Sequence, residues 1–334
     1  MSGDPWTTLA RPESSQSVSA RRVDETTRWD FYWATDHDAR LLLVLRHNPE
    51  STPRNRLPRL KGIEVFEQPP DGKEKPALVL RLLDSSLRDI FYRLCLDIVG
   101  STSPATSETE AIATAIARTW RWHHLLRGGG GGLLSPEEQI GLLGELIVLE
   151  RYLFPSLSLT QSVASWLGPL GAPQDFVAGR TAIESKARGG TDANEVRINS
   201  EYQLDDSNLD RLFLHLCVFE SQTRTEADGF SVADVASRIR TRLDGFDKRL
   251  VDRYDSLLAA AGFRYEDDYS ASLWSGGERS IYKVAEGFPR LVARTIPSGI
   301  SVVRYNLSLA ECGGFLVAPE KLMQALAGEA THAD

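Results

Sequence analysis

Two carboxylates and a lysine stand close together in the middle of the chain. Asp175 precedes the apolar run 176–178, and Glu184 and Lys186 lie in the segment Thr-Ala-Ile-Glu-Ser-Lys-Ala at 181–187. Residues two apart on a strand project from the same face, so Glu184 and Lys186 are predicted to share one. Carboxylate oxygens are ligands that Mg²⁺ prefers, and a lysine beside a metal can orient a water or contact a phosphate. The spacing therefore predicts metal-dependent phosphodiester hydrolysis, with Asp175 and Glu184 as the metal ligands.

The elements around these residues decide whether they can meet. Gly179 and Arg180 predict a tight turn, and a hairpin there would return Asp175 to a position beside Glu184. The charged residues interrupt apolar strands, where a buried charge is costly unless it serves a ligand or a pair. The alternative interpretation, an exposed strand edge that carries a chance string of charges, stays open at this point.

Further polar residues flank the motif. Glu145 lies among apolar residues on a predicted helix that begins at Ser135 and runs to about residue 153. We interpret it either as a third acid of the site or as an acid at the rim of the helix's apolar face. Downstream polar side chains of the kind that contact phosphate oxygens in DNA, each alternatively a plain surface residue, are Arg188, Arg197, Asn199 and Gln203.

Composition limits the classes of protein. The chain has 334 residues, 42% of them hydrophobic and 25% charged, which is typical of a soluble protein with more than one domain. Its three cysteines lie far apart and form no zinc-binding spacing, so a reducing, cytoplasmic location is predicted, with no membrane segment. The net charge is −8, so the chain lacks the excess of basic residues that a protein binding DNA by itself usually has.

The predicted domain organisation has four parts. A polar, disordered leader (1–28) precedes a β-rich domain with helices (29–127), and an unbroken glycine run marks a hinge (128–134). The last part (135–334) orders its first elements as helix, three strands, a short helical connection at 202–209 and a buried strand at 212–219, and it ends in a C-terminal α/β extension. The overall class predicted is α/β, more narrowly α+β: a mixed central sheet flanked by helices, plus the N-terminal β-rich domain.

Several short runs together resemble the bacterial family known as PD-(D/E)XK motif proteins. They are 141–146 around Glu145, Trp-Leu-Gly-Pro at 166–169, Gln-Asp-Phe at 174–176, Ile-Glu-Ser-Lys at 183–186 and Gln-Leu at 203–204. The resemblance extends over most of the chain and implies a restriction-endonuclease-like fold, found among restriction and phage-defence genes. It places Asp175, Glu184 and Lys186 on the motif positions and Glu145 on the first-helix acid. Gln174 departs from the pattern, since many members have proline there.

Two functional hypotheses follow. The first is a Mg²⁺-dependent DNA endonuclease, with Mn²⁺ able to substitute, that belongs to a restriction or phage-defence system. Because the chain is acidic, other defence-system proteins would bring it to DNA, and cleavage of both strands would favour a homodimer. The alternative is a non-catalytic DNA-docking or assembly subunit that retains the nuclease fold.

Overall fold

The computed structural model describes residues 4–14, 17–53, 57–58, 60, 62–70, 74–128, 133–190, 194–222, 229–297, 300 and 303–330. Its contacts divide the chain into two compact units, Met1–Gly130 and Gly131–Asp334. The boundary falls in the segment predicted as a glycine hinge (128–134), of which residues 129–132 lie outside the described part.

The N-terminal unit is a five-stranded antiparallel sheet with two helices packed on one face. The strands are β1 (Ser19–Arg22), β2 (Asp30–Thr35), β3 (Leu41–Arg46), β4 (Ile63–Gln68) and β5 (Ala77–Leu82), in the spatial order β1-β2-β3-β5-β4. The helices are α1 (Arg88–Thr102) and α2 (Glu108–Gly128). Apolar side chains of the sheet and both helices form one core. With five strands and two helices, this unit has the β-rich composition with helices that is expected for residues 29–127.

The segment predicted as a disordered leader contains ordered structure. Residues Pro5–Thr8 form a 3₁₀ turn, and β1 pairs with β2. Trp6 is 3% exposed, and its indole N–H donates to the carbonyl oxygen of Leu42 at 3.0 Å. The polar composition was misleading here because one large aromatic side chain, stacked on Phe91, anchors the segment in the core.

The C-terminal unit is built on a five-stranded mixed sheet. Its strands are β6 (Phe176–Ala178), β7 (Thr181–Gly189), β9 (Arg211–Gln222), β10 (Leu273–Val284) and β12 (Leu316–Val317), in the spatial order β12-β10-β9-β7-β6. Strands β7 and β9 are parallel, whereas the other neighbours in this sheet are antiparallel. Two further strands, β8 (Glu195–Ile198) and β11 (Tyr305–Ser308), form a separate antiparallel pair.

Helices and the small strand pair cover opposite faces of this sheet. The helices are α3 (Pro136–Val148), α4 (Phe154–Ser156), α5 (Leu159–Ser165), α6 (Val232–Asp244), α7 (Lys248–Ala260) and α8 (Pro319–Ala330). Along β9, Phe213 and Phe219 pack with these helices, while Leu214 and Leu216 pack with β8 and β11. Both faces of β9 are therefore buried, as its nearly continuous apolar sequence predicts. The α+β class with a mixed sheet is confirmed.

One predicted element differs from the structure. The helical connection predicted at 202–209 is a series of turns. The Gln174 amide donates to the Tyr202 carbonyl at 2.7 Å, and Asp205 accepts from the backbone N–H of Ser207. Such side-chain bonds compete with helix formation.

Candidate active site

Helix α3 carries Glu145 against strand β7. Ser135 and Glu138 form a capping box that fixes the start of the helix, as the sequence predicts. One turn before its end, Gly144 allows close contact, since a Cβ there would stand 3.1 Å from the Ala187 Cβ and 3.4 Å from the Ser185 hydroxyl oxygen. The glycine thus brings the backbone beside Glu145 close to the strand that carries Glu184 and Lys186.

Trp166 holds the Glu145 carboxyl group. Its indole N–H donates to Glu145 Oε2 at 2.6 Å, and the Trp166 ring is fully buried and stacked on Phe176. Burial raises the pKa of Glu145 well above its ordinary value, and the negative charges of Asp175 and Glu184 raise it further. The Trp166 hydrogen bond and the Lys186 charge oppose this shift, but the net direction is upward. In the metal-free protein Glu145 therefore holds its proton at higher pH than a free glutamate does.

Asp175 is fixed through both its backbone and its side chain. The backbone N–H groups of Leu167 and Gly168 donate to the Asp175 carbonyl oxygen at 2.8 and 2.9 Å. Its Oδ2 accepts from the backbone N–H of Ser185 at 2.7 Å. The predicted hairpin explains this contact: β6 ends its pairing with β7 at Phe176 and Ile183, so Asp175 lies beside the next residues of β7.

Asp175 and Glu145 converge on Gly168. A Cβ added at Gly168 would stand 2.7 Å from Asp175 Oδ1 and 3.0 Å from Glu145 Oε2. A glycine is needed here because any side chain would enter the space that the two carboxyl groups share. The segment 166–168 thus contacts both acids. Its indole donates to Glu145, and two of its backbone N–H groups donate to the Asp175 carbonyl oxygen. Because Gly168 has no side chain, both carboxyl groups fit beside it.

Glu184 and Lys186 form a buried ion pair on one face of β7. Glu184 is 0% exposed, and its Oε1 lies 2.7 Å from Lys186 Nζ. The parallel register places Leu214 and Leu216 of β9 beside them, so both charged groups lie among apolar side chains. The alternative of an exposed strand edge therefore does not describe Glu184. A carboxylate is kept in such a place only when a cation or a ligand offsets the loss of hydration.

Gln203 completes the polar contacts of Lys186. Its amide oxygen accepts from Lys186 Nζ at 3.2 Å and from the backbone N–H of Asn199 at 2.7 Å. The turn that carries Gln203 is held by Gln174, whose amide donates to the neighbouring carbonyl of Tyr202. Gln174 is 8% exposed. Gln174, which stands where many members have proline, thus supports the loop whose Gln203 contacts Lys186.

The remaining residues predicted to contact DNA lie at different places. Arg188 is on β7, two residues beyond Lys186, and shares its strand face. Arg197 is exposed on β8 between the buried residues Val196 and Ile198, and Asn199 follows that strand. Gln203 and Asn199 are joined to the acidic site, because the Gln203 amide oxygen accepts from Lys186 Nζ and from the Asn199 backbone N–H. Arg197 projects from the face of β8 opposite to its buried neighbours.

Comparison with known families identifies the chain. Residues 3–310 match the family DUF4420, which is described as "Putative PD-(D/E)XK family member". The chain belongs to this family. No curated protein matches it, and no solved structure matches it.

Members of the PD-(D/E)XK superfamily usually use divalent metal ions, so the acids of this site are the residues to test as metal ligands. The donor set suits such an ion, since carboxylate oxygens are the ligands of hard cations. Among the described residues, however, no group of three or more His, Cys, Asp or Glu side chains is arranged closely enough to enclose a metal. The oxygens that fit are those of Asp175 and Glu184, with Glu145 close to Asp175.

The sequence did not reveal the roles of Trp166, Gly168 and Gln174 in this family member. Trp166 is buried like a core residue, but its indole N–H also donates to Glu145. The available signal was the Trp-Leu-Gly-Pro run at 166–169, which ends six residues before Asp175.

Among the described residues, none of the helices combines the length and the apolar sequence that a membrane crossing needs.

Proposed function

We propose that this PD-(D/E)XK protein is a Mg²⁺-dependent DNA endonuclease that hydrolyses phosphodiester bonds. The observation that carries the proposal is the fully buried Glu184 paired with Lys186 on β7, beside an Asp175 that converges with Glu145. A structural ion pair alone does not require two further carboxyl groups at the same place. Clustered acids with one lysine are the arrangement that binds a cation and acts on a phosphate.

Each residue has a distinct part in this proposal. Asp175 and Glu184 would hold Mg²⁺, or Mn²⁺ in its place, and the bound ion would supply Lewis-acid stabilisation and a more acidic water. Lys186 offsets the repulsion between the acids and can orient the attacking water or contact a phosphate oxygen. Glu145, whose pKa is raised by burial, assists as a nearby acid that can hold a proton. Trp166 and Gln203 position Glu145 and Lys186.

Binding to DNA would use polar groups around this site. Arg188 continues the strand face of Lys186, and Asn199 and Arg197 stand at and near the end of β8. The net charge of −8 argues against strong binding to DNA by this chain alone. We therefore propose a role within a restriction or phage-defence system, in which partner proteins or a second copy of the chain supply affinity.

A plasmid assay tests the assignment of the site. Purified protein is incubated with supercoiled plasmid and Mg²⁺ or Mn²⁺, with and without the products of neighbouring genes. We expect nicking or linearisation by the wild type and its loss in Lys186→Ala and Asp175→Asn. The matched control is Lys283→Ala, which removes an exposed lysine from β10 of the same sheet. Equal cleavage by wild type and Lys186→Ala would refute the assignment.

The acidic net charge also favours a second candidate, a non-catalytic DNA-docking or assembly subunit. Calorimetry with Mg²⁺ and Mn²⁺ separates the two. The nuclease proposal expects divalent-ion binding that is lost in Asp175→Asn. Absence of any such binding, together with DNA binding or partner binding that survives in Asp175→Asn, supports the docking subunit.

A further inference from the structure

An open cleft of about 650 Å³ lies at the edge of the sheet formed by β10 and β12. The acidic site is at the other edge, where β6 pairs with β7. The cleft is lined by side chains from β10, β12, the start of α8 and the segment after α3, among them Arg151, Tyr152, Arg279, Ile281, Leu316 and Met323. Its volume lies within the range of small-molecule sites. It is therefore a candidate ligand site that is separate from the acidic site.

Two arginines give the cleft a positive charge. Among the described residues, no acidic side chain lines it, and neither Arg151 nor Arg279 has an acidic partner within ion-pair distance. The positive charges of both arginines oppose the rise that burial causes in the pKa of Tyr152 and of Cys217. Two guanidinium groups that line one cleft, without an acidic partner in the described part of the chain, are suited to phosphate oxygens.

Both arginines are presented by irregular backbone. Arg151 and Tyr152 lie in a π-helical turn (Leu149–Leu153) that follows α3 directly. Arg279 stands where the pairing of β10 with β9 shifts register between Gly276 and Arg279. π-helical turns and β-bulges re-aim side chains and are frequent at functional sites. Two such irregularities that serve one cleft favour a binding role over a surface depression.

A buried histidine lies under the cleft. His215 of β9 pairs with Ile281 of β10 and contacts the Tyr152 ring, with ring centroids 5.4 Å apart. It is 0% exposed, and neither ring nitrogen has a hydrogen-bond partner among the described residues. Burial lowers the pKa of His215 to about 3, so the ring is neutral. Unsatisfied polar groups in a core are rare, and one directly below a cleft marks that place as more than packing.

The rest of the lining is mainly apolar. It includes Ile281, Leu316, Val317, Pro319 and Met323, and Leu316 remains 56% exposed. An inorganic anion would leave this apolar surface uncovered, whereas a ligand with a flat apolar part would bury it. We propose that the cleft binds an organic phosphate of nucleotide size, with its phosphate at Arg151 and Arg279 and its apolar part on these apolar side chains.

Calorimetry on the full chain, in buffer with a chelator to exclude metal-dependent binding at the acids, tests the ligand class. The probes are adenosine monophosphate, adenosine triphosphate and flavin mononucleotide, compared with adenosine and inorganic phosphate. We expect at least one nucleotide to bind, and both adenosine and phosphate to bind at least about tenfold more weakly, since each lacks half of the contacts. Binding of none of the three nucleotides, or equal binding of inorganic phosphate, overturns the proposal.

Variants locate the site. Arg151→Gln and Arg279→Gln should each weaken nucleotide binding by about tenfold or more, because each removes a charge-assisted contact. Leu316→Trp should weaken it by filling the cleft while both arginines remain. Arg253→Gln, which removes an exposed arginine from α7, is the matched control and should bind like the wild type. Thermal melts confirm folding of each variant, and unchanged binding in both cleft arginine variants overturns the site.

Discussion

Gly168 offers the sharpest test of how the acids are held. The substitution Gly168→Ala adds a Cβ at 2.7 Å from Asp175 Oδ1, 3.0 Å from Glu145 Oε2 and 3.3 Å from the Asp175 Cα. The first contact is shorter than carbon and oxygen tolerate, and the third involves backbone that cannot swing away. Overpacking of this kind costs about 1–3 kcal/mol in the free energy of unfolding. We expect that loss, with both acids displaced.

Urea denaturation measures the effect, and the same substitution elsewhere provides its control. Gly141 lies in α3, and a Cβ there would meet nothing within 4 Å. Gly141→Ala should therefore raise the free energy of unfolding by roughly 0.5–1 kcal/mol, because alanine loses less backbone entropy in a helix. The two variants should thus change stability in opposite directions.

Metal binding gives Gly168→Ala a second readout. If Asp175 binds a divalent ion, displacement of its carboxylate should lower the affinity measured by calorimetry about tenfold or more, as loss of supporting contacts does at other metal sites. Gly141→Ala should leave the affinity unchanged. A Gly168→Ala protein as stable as the wild type would show that the two carboxyl groups do not occupy the space beside Gly168.

Three further predictions concern the same group of residues. Lys186→Met should lower the free energy of unfolding by about 3–5 kcal/mol, because it leaves the buried Glu184 carboxylate without its cation. In urea denaturation, the double variant that also carries Glu184→Gln should recover most of this loss. No recovery would mean that Lys186→Met destabilises the protein by some route other than loss of the ion pair. The pKa of Glu145 is raised in the folded protein, so without metal the protonated Glu145 contributes to the free energy of unfolding. This contribution is complete below the ordinary glutamate pKa of 4.5 and is lost as the pH rises toward the folded-state pKa. Denaturation from about pH 5 to 8 in chelator should therefore show Glu145→Gln gaining stability relative to the wild type as the pH rises, and parallel curves would contradict the shift. Trp166→Phe keeps an aromatic ring against Phe176 but removes the donor to Glu145, and should cost about 1–3 kcal/mol in the same measurement; a change below the error of the method would show that the 2.6 Å hydrogen bond does not stabilise the fold.

The central elements could be predicted from sequence because their signals are local. Ser135 and Glu138 predict the start of α3 through a capping pattern, and the alternation in 181–187 predicts that Glu184 and Lys186 share a face of β7. The long apolar run around 212–219 predicts a strand buried on both faces. These patterns depend on neighbours a few residues away in sequence, so they can be recognised without knowledge of the tertiary contacts.

Other elements were decided by distant contacts. Trp6 orders a polar segment because its ring finds a core made by residues far along the chain. The turns at 202–209 replace a predicted helix, since the Gln174 amide, from another segment, bonds to their carbonyl groups. No local pattern encodes such partners, and composition alone could not anticipate them.

The sequence by itself determined which residues are the candidates for chemistry in this protein: two carboxylates and a lysine at a spacing typical of the PD-(D/E)XK family, with an acid on the preceding helix. Only the tertiary structure decided that Glu184 is completely buried, that Asp175 and Glu145 meet at Gly168, and that Trp166 and Gln203 hold the acid and the lysine in place. The physical reason is that spacing along a strand fixes the direction of a side chain. Burial, pKa and the convergence of charges depend on segments brought together only when the chain folds.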